Sequence, residues 1–210
     1  MLGGLSNTSV LSWAAKDAAR KKKQMMVVIK RFIAEFFLSQ KNPGLILSDF
    51  AGVYLRTTFV VGPKGYITVG SYTCLNGSYL ISNECITIGS HCLLAWGSVI
   101  TDTFLGLNSS VESRRAVLKC ASLDPDRLLS PVARPFPVKL EDNVWVGFES
   151  VVLPGVTLGR GCVIGCKTVI DKDIPPYAVM VGDPARIIRY LDPDDTEEAR
   201  INALKEYSRG

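Results

Sequence analysis

From Leu140 onward, aliphatic residues recur at every sixth position of the chain. The series comprises Leu140, Val146, Val152, Leu158, Ile164 and Ile170. Four positions after each of the first five members comes a residue small enough for a tight interior corner: Val144, Ser150, Val156, Cys162 and Thr168. An amphipathic helix has a period of 3.6 residues and an alternating strand has a period of 2, so neither predicts this pattern. A period of six is typical of a parallel β-helix, in which three hexapeptides close one triangular coil.

The same period occurs in the first half of the chain, with one change of phase. Its aliphatic members are Val69, Leu75 and Ile81 and then, one residue out of phase, Ile88, Leu94 and Ile100. Small residues follow at Thr73, Cys85, Cys92 and Ser98. The slip falls near residues 85–87 and indicates an extra residue in one turn. We therefore predict an all-β fold whose aliphatic residues fill the prism.

The ends of the chain and one internal segment depart from the period. Residues 12–40 contain no proline or glycine and have apolar residues at helical spacing, which predicts a basic, amphipathic helical segment over 1–43. The β-helix domain should span 44–191, and a C-terminal helix should follow over 192–210 with Asp192 as its N-cap.

The segment 101–137 interrupts the period and is predicted to form neither strand nor helix. Loops of this length inside compact domains are usually functional. We expect it to reach a neighbouring subunit and wall a cleft, with a mobile surface excursion as the alternative.

Composition and charge restrict the class of protein. With 210 residues, 47% of them hydrophobic, the chain can bury the core of one domain. Its apolar runs are too short for a membrane span, we find no signal-peptide pattern, and six cysteines fit reduced thiols. We therefore expect a cytoplasmic protein.

The net charge of +4 arises from residues 1–41, and the remainder is slightly negative. That distribution argues against nucleic acid as a partner. The run ARKKKQ is interpreted as a solvated helix face, and a peripheral contact with the inner membrane surface stays open.

The stretch DNVWVGFESVVLPGVTLGRGCVIGCKTVIDKDIPPYAVMVGDPARIIR resembles the C-terminal half of the hexapeptide-repeat acyltransferases. That group contains maltose, galactoside, virginiamycin and polysaccharide O-acetyltransferases. The resemblance covers about residues 66–191 and is most specific in DKDIPPYAVMVGDPARIIR. It implies a left-handed β-helix, a homotrimer, and acetyl-coenzyme A bound between two prisms. It also implies acetyl transfer to a sugar or sugar nucleotide in surface-polysaccharide or glycoconjugate synthesis.

The resemblance further implies the residues of the site. The expected cofactor contacts are Gly147, Gly165 and Cys166 along the pantetheine arm, and Lys172 and Arg186 at the nucleotide phosphates. In TCLNGSYLISN, Asn76 and Asn83 match the segment that contacts the acceptor. The plain alternatives are turn geometry for glycine and asparagine, and solubility for the basic residues.

The family's catalytic histidine is missing from the stretch ITDTFLG. Asp102 matches the family's aspartate, but Thr103, Leu105 and Gly106 stand where the histidine could follow. The chain's one histidine, His91, comes too early and is interpreted as a turn residue.

General-base catalysis is typically worth about 10²–10⁴-fold, so its absence needs an explanation. Asp102 or a loop residue such as Glu112 serves as an imperfect base, or an amine acceptor removes the need for one. The third alternative is a catalytically degenerate trimer that acts as a binding or assembly element.

A single histidine also bears on metal and hydrolase chemistry. Zinc sites of carbonic anhydrases on this fold need three histidines, and the sequence has no C-x-x-C pair. A Ser-His-Asp constellation would have to use that one histidine, His91, which is interpreted as a turn residue. We therefore expect no metal cofactor.

Overall fold

The chain folds as a three-sided parallel solenoid. The structure, a computed structural model, describes residues 28–29, 33–104, 110–123 and 134–192. The strands before the insertion are β1 Val28–Ile29, β2 Ile33–Phe37, β3 Leu45–Leu47, β4 Gly52–Tyr54, β5 Thr58–Val61, β6 Ile67–Val69, β7 Cys74–Asn76, β8 Tyr79–Ser82, β9 Ile86–Ile88, β10 Leu93–Leu94 and β11 Val99–Thr101. After helix α1, Val111–Leu123, come β12 Val138–Leu140, β13 Trp145–Val146, β14 Val151–Val152, β15 Thr157–Leu158, β16 Val163–Ile164, β17 Val169–Ile170, β18 Ala178–Val181 and β19 Arg186–Tyr190.

From β1 to β17, successive strands belong in turn to three sheets, A, B and C. Sheet A has the order β1-β4-β7-β10-β13-β16-β18-β19, sheet B the order β17-β14-β11-β8-β5-β2, and sheet C the order β15-β12-β9-β6-β3. The pairings are parallel, except that β19 turns back and pairs antiparallel with β18. Each coil thus contributes one short strand to each side of a prism. The predicted β-helix of hexapeptide repeats is confirmed.

The predicted repeat residues stack inside the prism. In sheet A, Leu75, Leu94, Val146 and Ile164 are partners in successive coils, and each is almost fully buried. The corresponding column of sheet B contains Leu80, Ile100, Val152 and Ile170. Burial of these aliphatic side chains supplies the main driving force for stacking, since no coil can hide its apolar face alone.

One repeat residue was assigned wrongly from the sequence. Leu80 is fully buried and pairs with Ile100, whereas Ile81 is only half-buried. The turn between β7 and β8 is one residue shorter than its equivalents, which moves the register by one. The compensating extra residues lie between Ser82 and Ile86, near the predicted phase slip.

The three corners of the prism differ in how strictly they repeat. The CA corner, from sheet C to sheet A, has the same length in every coil: Leu47 to Gly52, Val69 to Cys74, Ile88 to Leu93, Leu140 to Trp145 and Leu158 to Val163. Each of these five turns contains a residue with positive φ, at Phe50, Tyr72, His91, Asn143 and Gly161, and so does the turn before β18, at Tyr177. The rings of Phe50, Tyr72 and His91 stack there at 4.9 and 5.1 Å. His91 is thus a turn residue, as predicted.

The BC corner, from sheet B to sheet C, varies in length from coil to coil. It connects Phe37 to Leu45, Val61 to Ile67, Ser82 to Ile86, Thr101 to Val138 and Val152 to Thr157. The longest of these connections is the predicted insertion. The AB corner, from sheet A to sheet B, is nearly constant and has positive φ at Gly77, Gly97, Glu149 and Lys167.

Strands replace the helix that was predicted near the N-terminus. β1 pairs with β4 and β2 pairs with β5, so both extend the solenoid by one more coil. Val28, Ile29 and Ile33 are β-branched and suit strands, and strands this short do not reveal their period in the sequence. The helix prediction is therefore wrong at these positions. Residues 1–27 and 193–210 lie outside the described residues, so the C-terminal helix predicted over 192–210 stays a prediction.

The insertion also differs from its prediction, because it contains the helix α1. Ser110 caps this helix, since its Oγ accepts the backbone N–H of Ser113 at 3.1 Å. The described side chains of α1, Glu112 among them, are exposed. Among the residues that the structure describes, no helix is long and apolar enough to span a bilayer.

Candidate active site

The carboxylate of Asp102 is fully buried at the BC corner from which the insertion leaves. Its Oδ1 accepts the Thr103 hydroxyl at 2.7 Å and the Asn83 N–H at 2.8 Å. Its Oδ2 accepts the Ser82 hydroxyl and the backbone N–H groups of Glu84 and Cys85, each at 2.9 Å. The Asn83 N–H also lies 3.0 Å from Oδ2.

These bonds make Asp102 the organiser of the turn between β8 and β9. A carboxylate has about four lone-pair sites, and here five donor groups already occupy them. A carboxylate surrounded in this way has no free site for an acceptor's proton. The geometry favours an orienting role for Asp102, and its role as a base stays a prediction.

The side chain of Asn83 belongs to the same cluster. It is half-buried, and its Nδ2 donates to the Thr103 hydroxyl at 3.0 Å. The resulting chain runs from the Asn83 carboxamide through Thr103 to Asp102. Asn83, predicted from the sequence as an acceptor contact, is therefore brought together with the predicted catalytic aspartate.

A tyrosine and a cysteine border this cluster. Hydrogen bonding to Cys85 is the largest cause that raises the pKa of Tyr66, and the Lys41 ammonium lies 4.0 Å from the centre of the Tyr66 ring. A tyrosine with a raised pKa stays protonated near neutral pH. Tyr66 can donate a hydrogen bond there but cannot serve as a base.

The AB corner brings together another set of predicted residues. Asn76, Gly147 and Gly165 directly follow the buried partners Leu75, Val146 and Ile164, so they form one column on this corner. Cys166 is exposed beside it. Nearby, the exposed rings of Trp96 and Phe148 stack at 5.1 Å.

The two glycines of this column have a structural explanation. A Cβ at Gly147 would lie 2.8 Å from the backbone N of Cys166 and 2.8 Å from the carbonyl O of Ile164, both in the next coil. A Cβ at Gly165 would lie 2.7 Å from a methyl group of Val181. Close stacking of coils therefore requires glycine at 147 whether or not a cofactor approaches. The cofactor roles of both glycines stay predictions.

Other predicted site residues lie elsewhere on the surface. Lys172 is exposed at the BC corner after β17, and Arg186 is exposed in β19 at the end of sheet A. Asn76 is separated from Asn83 by the length of strand β8. A single chain thus divides most of the predicted residues between the AB and BC corners, with Arg186 at the end of sheet A.

Sequence reasoning named Thr103 only as a position that lacks the histidine, and it did not single out Ser82 or Gly62. All three border Asn83 and Asp102. A usable signal existed, because the polar pairs Ser82-Asn83 and Asp102-Thr103 each begin two positions after an aliphatic repeat residue, Leu80 or Ile100, in successive coils. The histidine, His91, lies at the CA corner with its ring on Tyr72 and is not part of this cluster.

No group of three potential metal ligands occurs in the ranges that the structure describes. The five described cysteines, Cys74, Cys85, Cys92, Cys162 and Cys166, are free thiols. The expectation of no metal stays a prediction.

Comparison with known proteins identifies the repeat. The bacterial transferase hexapeptide family (six repeats) matches residues 137–172. A candidate acetyltransferase of Schizosaccharomyces pombe is 52% identical over 56 residues, which are 27% of this chain and 27% of that protein. The chain thus matches about a quarter of the length of this curated relative.

Solved structures share the fold. A hexapeptide-repeat-containing acetyltransferase of Vibrio cholerae has a TM-score of 0.50 at 21% identity, and the match covers 90% of this chain and 84% of that one. A variant of the N-acyltransferase AntD of Bacillus cereus, in complex with dTDP and coenzyme A, has a TM-score of 0.53 at 14% identity, covering 91% and 95%.

The fold and the repeat together define a hexapeptide-repeat β-solenoid protein. The resemblance to the hexapeptide-repeat acyltransferases that the sequence indicated is confirmed.

Proposed function

We propose that the chain is a coenzyme A-dependent acyltransferase that transfers an acetyl group to a hydroxyl or amine of a sugar. The observation that carries this proposal is the ordered polar cluster of Asn83, Thr103 and Asp102 at the root of the insertion. The repeat match spans Gly147, Gly165, Cys166 and Lys172, which are the expected cofactor positions. The coenzyme A bound to the AntD variant and the acetyltransferase name of the yeast relative support the same class.

The burial and hydrogen bonding of Asp102 favour an amine as the acyl acceptor. A hydroxyl has a pKa far above neutrality and needs a base as it attacks the thioester, whereas a neutral amine attacks first and loses its proton afterwards. Asp102 is fully buried and its oxygens are occupied by donors. AntD is an N-acyltransferase, which supports amine acylation on this fold. An amino sugar used in surface-polysaccharide or glycoconjugate synthesis would meet this requirement.

A homotrimer is the second part of the proposal, and the outer faces of the prism support it. The outward residues of sheet A include Cys74, Leu93, Trp145 and Val163, and those of sheet B include Tyr79, Val99, Val151 and Val169. Sheet C instead presents mainly polar residues, Thr68, Thr87, Lys139 and Thr157, with Ile46 beyond Thr68. Trp145 and Tyr79 are exposed and the other six are half-buried. Contiguous apolar surface is typical of protein interfaces, so sheets A and B are the faces expected to meet other subunits.

The division of the predicted residues supports the same assembly. Asn76, Gly147 and Gly165 lie at the AB corner, while Asn83 and Asp102 lie at the BC corner. A groove between two subunits could combine one corner from each. The proposed site is therefore complete only in the oligomer.

Binding of acetyl-coenzyme A tests the proposal. We expect acetyl-coenzyme A to raise the melting temperature of the protein and to bind in a calorimetric titration, because a ligand that binds only the folded state stabilises it. Release of free coenzyme A should then accompany incubation with D-glucosamine, as the amine probe, faster than with maltose, as the hydroxyl probe. Absence of binding at millimolar acetyl-coenzyme A would overturn the transferase function. Binding without transfer to either probe would favour the degenerate binding element.

A further inference from the structure

We propose that Asp102, acting through Thr103, and Gly62 fix the direction of the Asn83 carboxamide, so that its oxygen is presented to the nucleophilic N–H or O–H of the acceptor. This inference rests on the proposed acyl transfer and adds two positioning residues, Thr103 and Gly62, to it.

The orientation of the Asn83 carboxamide follows from the single proton that the Thr103 hydroxyl can donate. Thr103 has one hydroxyl proton, and the Asp102 carboxylate, which only accepts, receives it over 2.7 Å. The Thr103 oxygen can therefore only accept from Asn83, which requires the amide nitrogen to face it at 3.0 Å. The negative charge of Asp102 thus sets the orientation of the Asn83 side-chain amide, although the Asp102 carboxylate bonds only the backbone N–H of Asn83.

Gly62 provides the space for the other end of the carboxamide. A Cβ built on Gly62 would collide with Asn83 Oδ1 and would lie 3.2 Å from Asn83 Cγ. The backbone N–H of Gly62 is already used, because it donates to the Ser82 carbonyl at 2.8 Å. The oxygen therefore occupies the space that a Cβ on Gly62 would need, and a side chain there would displace it.

The carboxamide oxygen remains available to a ligand. Within the described part of the chain it accepts no hydrogen bond, and it is not among the buried polar atoms that lack a partner. Asn83 itself is only half-buried, beside the root of the insertion. An oxygen that is held in place and still accessible is a preorganised acceptor for one hydrogen.

Such an oxygen would orient the nucleophile without taking its proton. An acceptor N–H or O–H that donates to Asn83 Oδ1 directs its lone pair away from that bond and toward the position of the thioester. The carboxamide keeps its own protons throughout, so Asn83 is a positioning group and not a base. This role suits a site that lacks histidine.

Two pairs of variants test the inference. Thr103→Val keeps the shape but removes the hydroxyl, and Thr103→Ser keeps the hydroxyl. Gly62→Ala should displace the Asn83 carboxamide. The same substitution in an Asn83→Ala background is the control, because that protein has no carboxamide to displace. The first readout is the pair of Asn83 side-chain amide signals in NMR spectra of deuterated, ¹⁵N-labelled protein. The second readout compares the change in the KM for D-glucosamine with the change in the KM for acetyl-coenzyme A.

We expect Thr103→Val to shift the Asn83 amide signals and to speed their exchange with water, while Thr103→Ser retains the wild-type spectrum. The KM for D-glucosamine should rise about fivefold in Thr103→Val and in Gly62→Ala, the loss of one neutral hydrogen bond, with the KM for acetyl-coenzyme A unchanged. Gly62→Ala should have no further effect once Asn83 is alanine.

The outcomes separate this inference from the proposed function. Unchanged Asn83 signals in both Thr103→Val and Gly62→Ala would overturn the orientation. If the wild-type enzyme binds acetyl-coenzyme A and the Asn83 signals change in the variants, but neither KM changes, the role toward the acceptor is overturned. If Thr103→Val does not fold, Gly62→Ala alone decides, because the atoms it displaces belong to a side chain and the backbone is spared. Failure to bind acetyl-coenzyme A counts against the proposed function only, since the NMR readout needs no ligand.

Discussion

The backbone N–H of Phe136 donates to the carbonyl oxygen of Asp102 over 2.7 Å. Phe136 in turn accepts the N–H of Gly155 at 3.0 Å through its own carbonyl. The chain therefore re-enters the BC corner at the point where it left, and the insertion is attached by a closed neck. The same residue, Asp102, closes this neck with its main chain and organises the neighbouring turn with its side chain.

The closed neck predicts that the insertion can be removed without loss of the solenoid. Replacement of residues 105–134 by a short Gly/Ser linker should leave the melting temperature within a few degrees, because loop-closure entropy changes slowly with loop length. Acetyl transfer should be lost if α1 walls the acceptor cleft. Circular dichroism and the coenzyme A release assay measure the two effects. An unfolded deletion variant would contradict the view that the neck is closed by the solenoid itself.

Asp102→Ala should destabilise the protein strongly. The substitution leaves the buried Ser82 hydroxyl and the partly buried N–H groups of Glu84 and Cys85 without their acceptor, and a buried donor without a partner costs about 1–3 kcal/mol. We expect a loss of at least about 3 kcal/mol in the free energy of unfolding, measured by urea denaturation. Glu84→Ala is the matched control, because only the backbone of Glu84 contacts Asp102. Equal stability of Asp102→Ala and the control would refute the organising role.

Gly147→Ala and Gly165→Ala distinguish coil stacking from cofactor approach. The added methyl group meets backbone atoms of the next coil at 147, whereas at 165 it meets a Val181 methyl that can move. Gly147→Ala should therefore lower the melting temperature more than Gly165→Ala, without any ligand. If Gly147→Ala kept the wild-type melting temperature and lost only acetyl-coenzyme A binding, the glycine would serve the cofactor instead.

The proposed trimer predicts opposite effects for charges on different faces. Trp145→Lys, on the outer face of sheet A, should dissociate the assembly because it buries an unpaired charge. Thr157→Lys, on the outer face of sheet C, should leave it intact. Sedimentation velocity reports both. A monomeric wild type, or a trimer that withstands Trp145→Lys, would remove sheet A from the interface.

Thiol labelling should divide the cysteines by burial. Burial raises the pKa of the Cys92 thiol to about 11 and that of Cys162 to about 12, so the reactive thiolate is scarce at pH 8. Cys166 is exposed. Iodoacetamide at pH 8, followed by peptide mass spectrometry, should modify Cys166 and spare Cys92 and Cys162 until denaturant is added. Rapid labelling of Cys162 in the native protein would contradict its core position.

The sequence predicts the solenoid well because its period is enforced by packing. Every coil places one aliphatic residue inside each side of the prism, so the same requirement recurs along the sequence, as at Leu140 and Leu158. Register within a coil was harder, since the short turn before β8 moved the buried position from Ile81 to Leu80. β1 and β2 were missed because two- and five-residue strands show no distinctive period.

The candidate site was only partly predictable. Asn83 and Asp102 were found because the family resemblance marks them, and the fold brings them together. The contributions of Thr103 and Gly62 depend on which residues face each other in successive coils, and that follows from the exact lengths of the BC connections. Those lengths vary from coil to coil, so spacing alone did not reveal them.

The unequal corners of the prism have a consequence for how this chain can be altered. The CA corner repeats one left-handed turn with Tyr72, His91 and Asn143, so a residue gained or lost there would spoil the stacking of two coils at once. The BC corner already contains connections of five different lengths. It is therefore the corner at which foreign segments, such as a reporter peptide or a binding loop, could be inserted, while the AB and CA corners keep the coils in register.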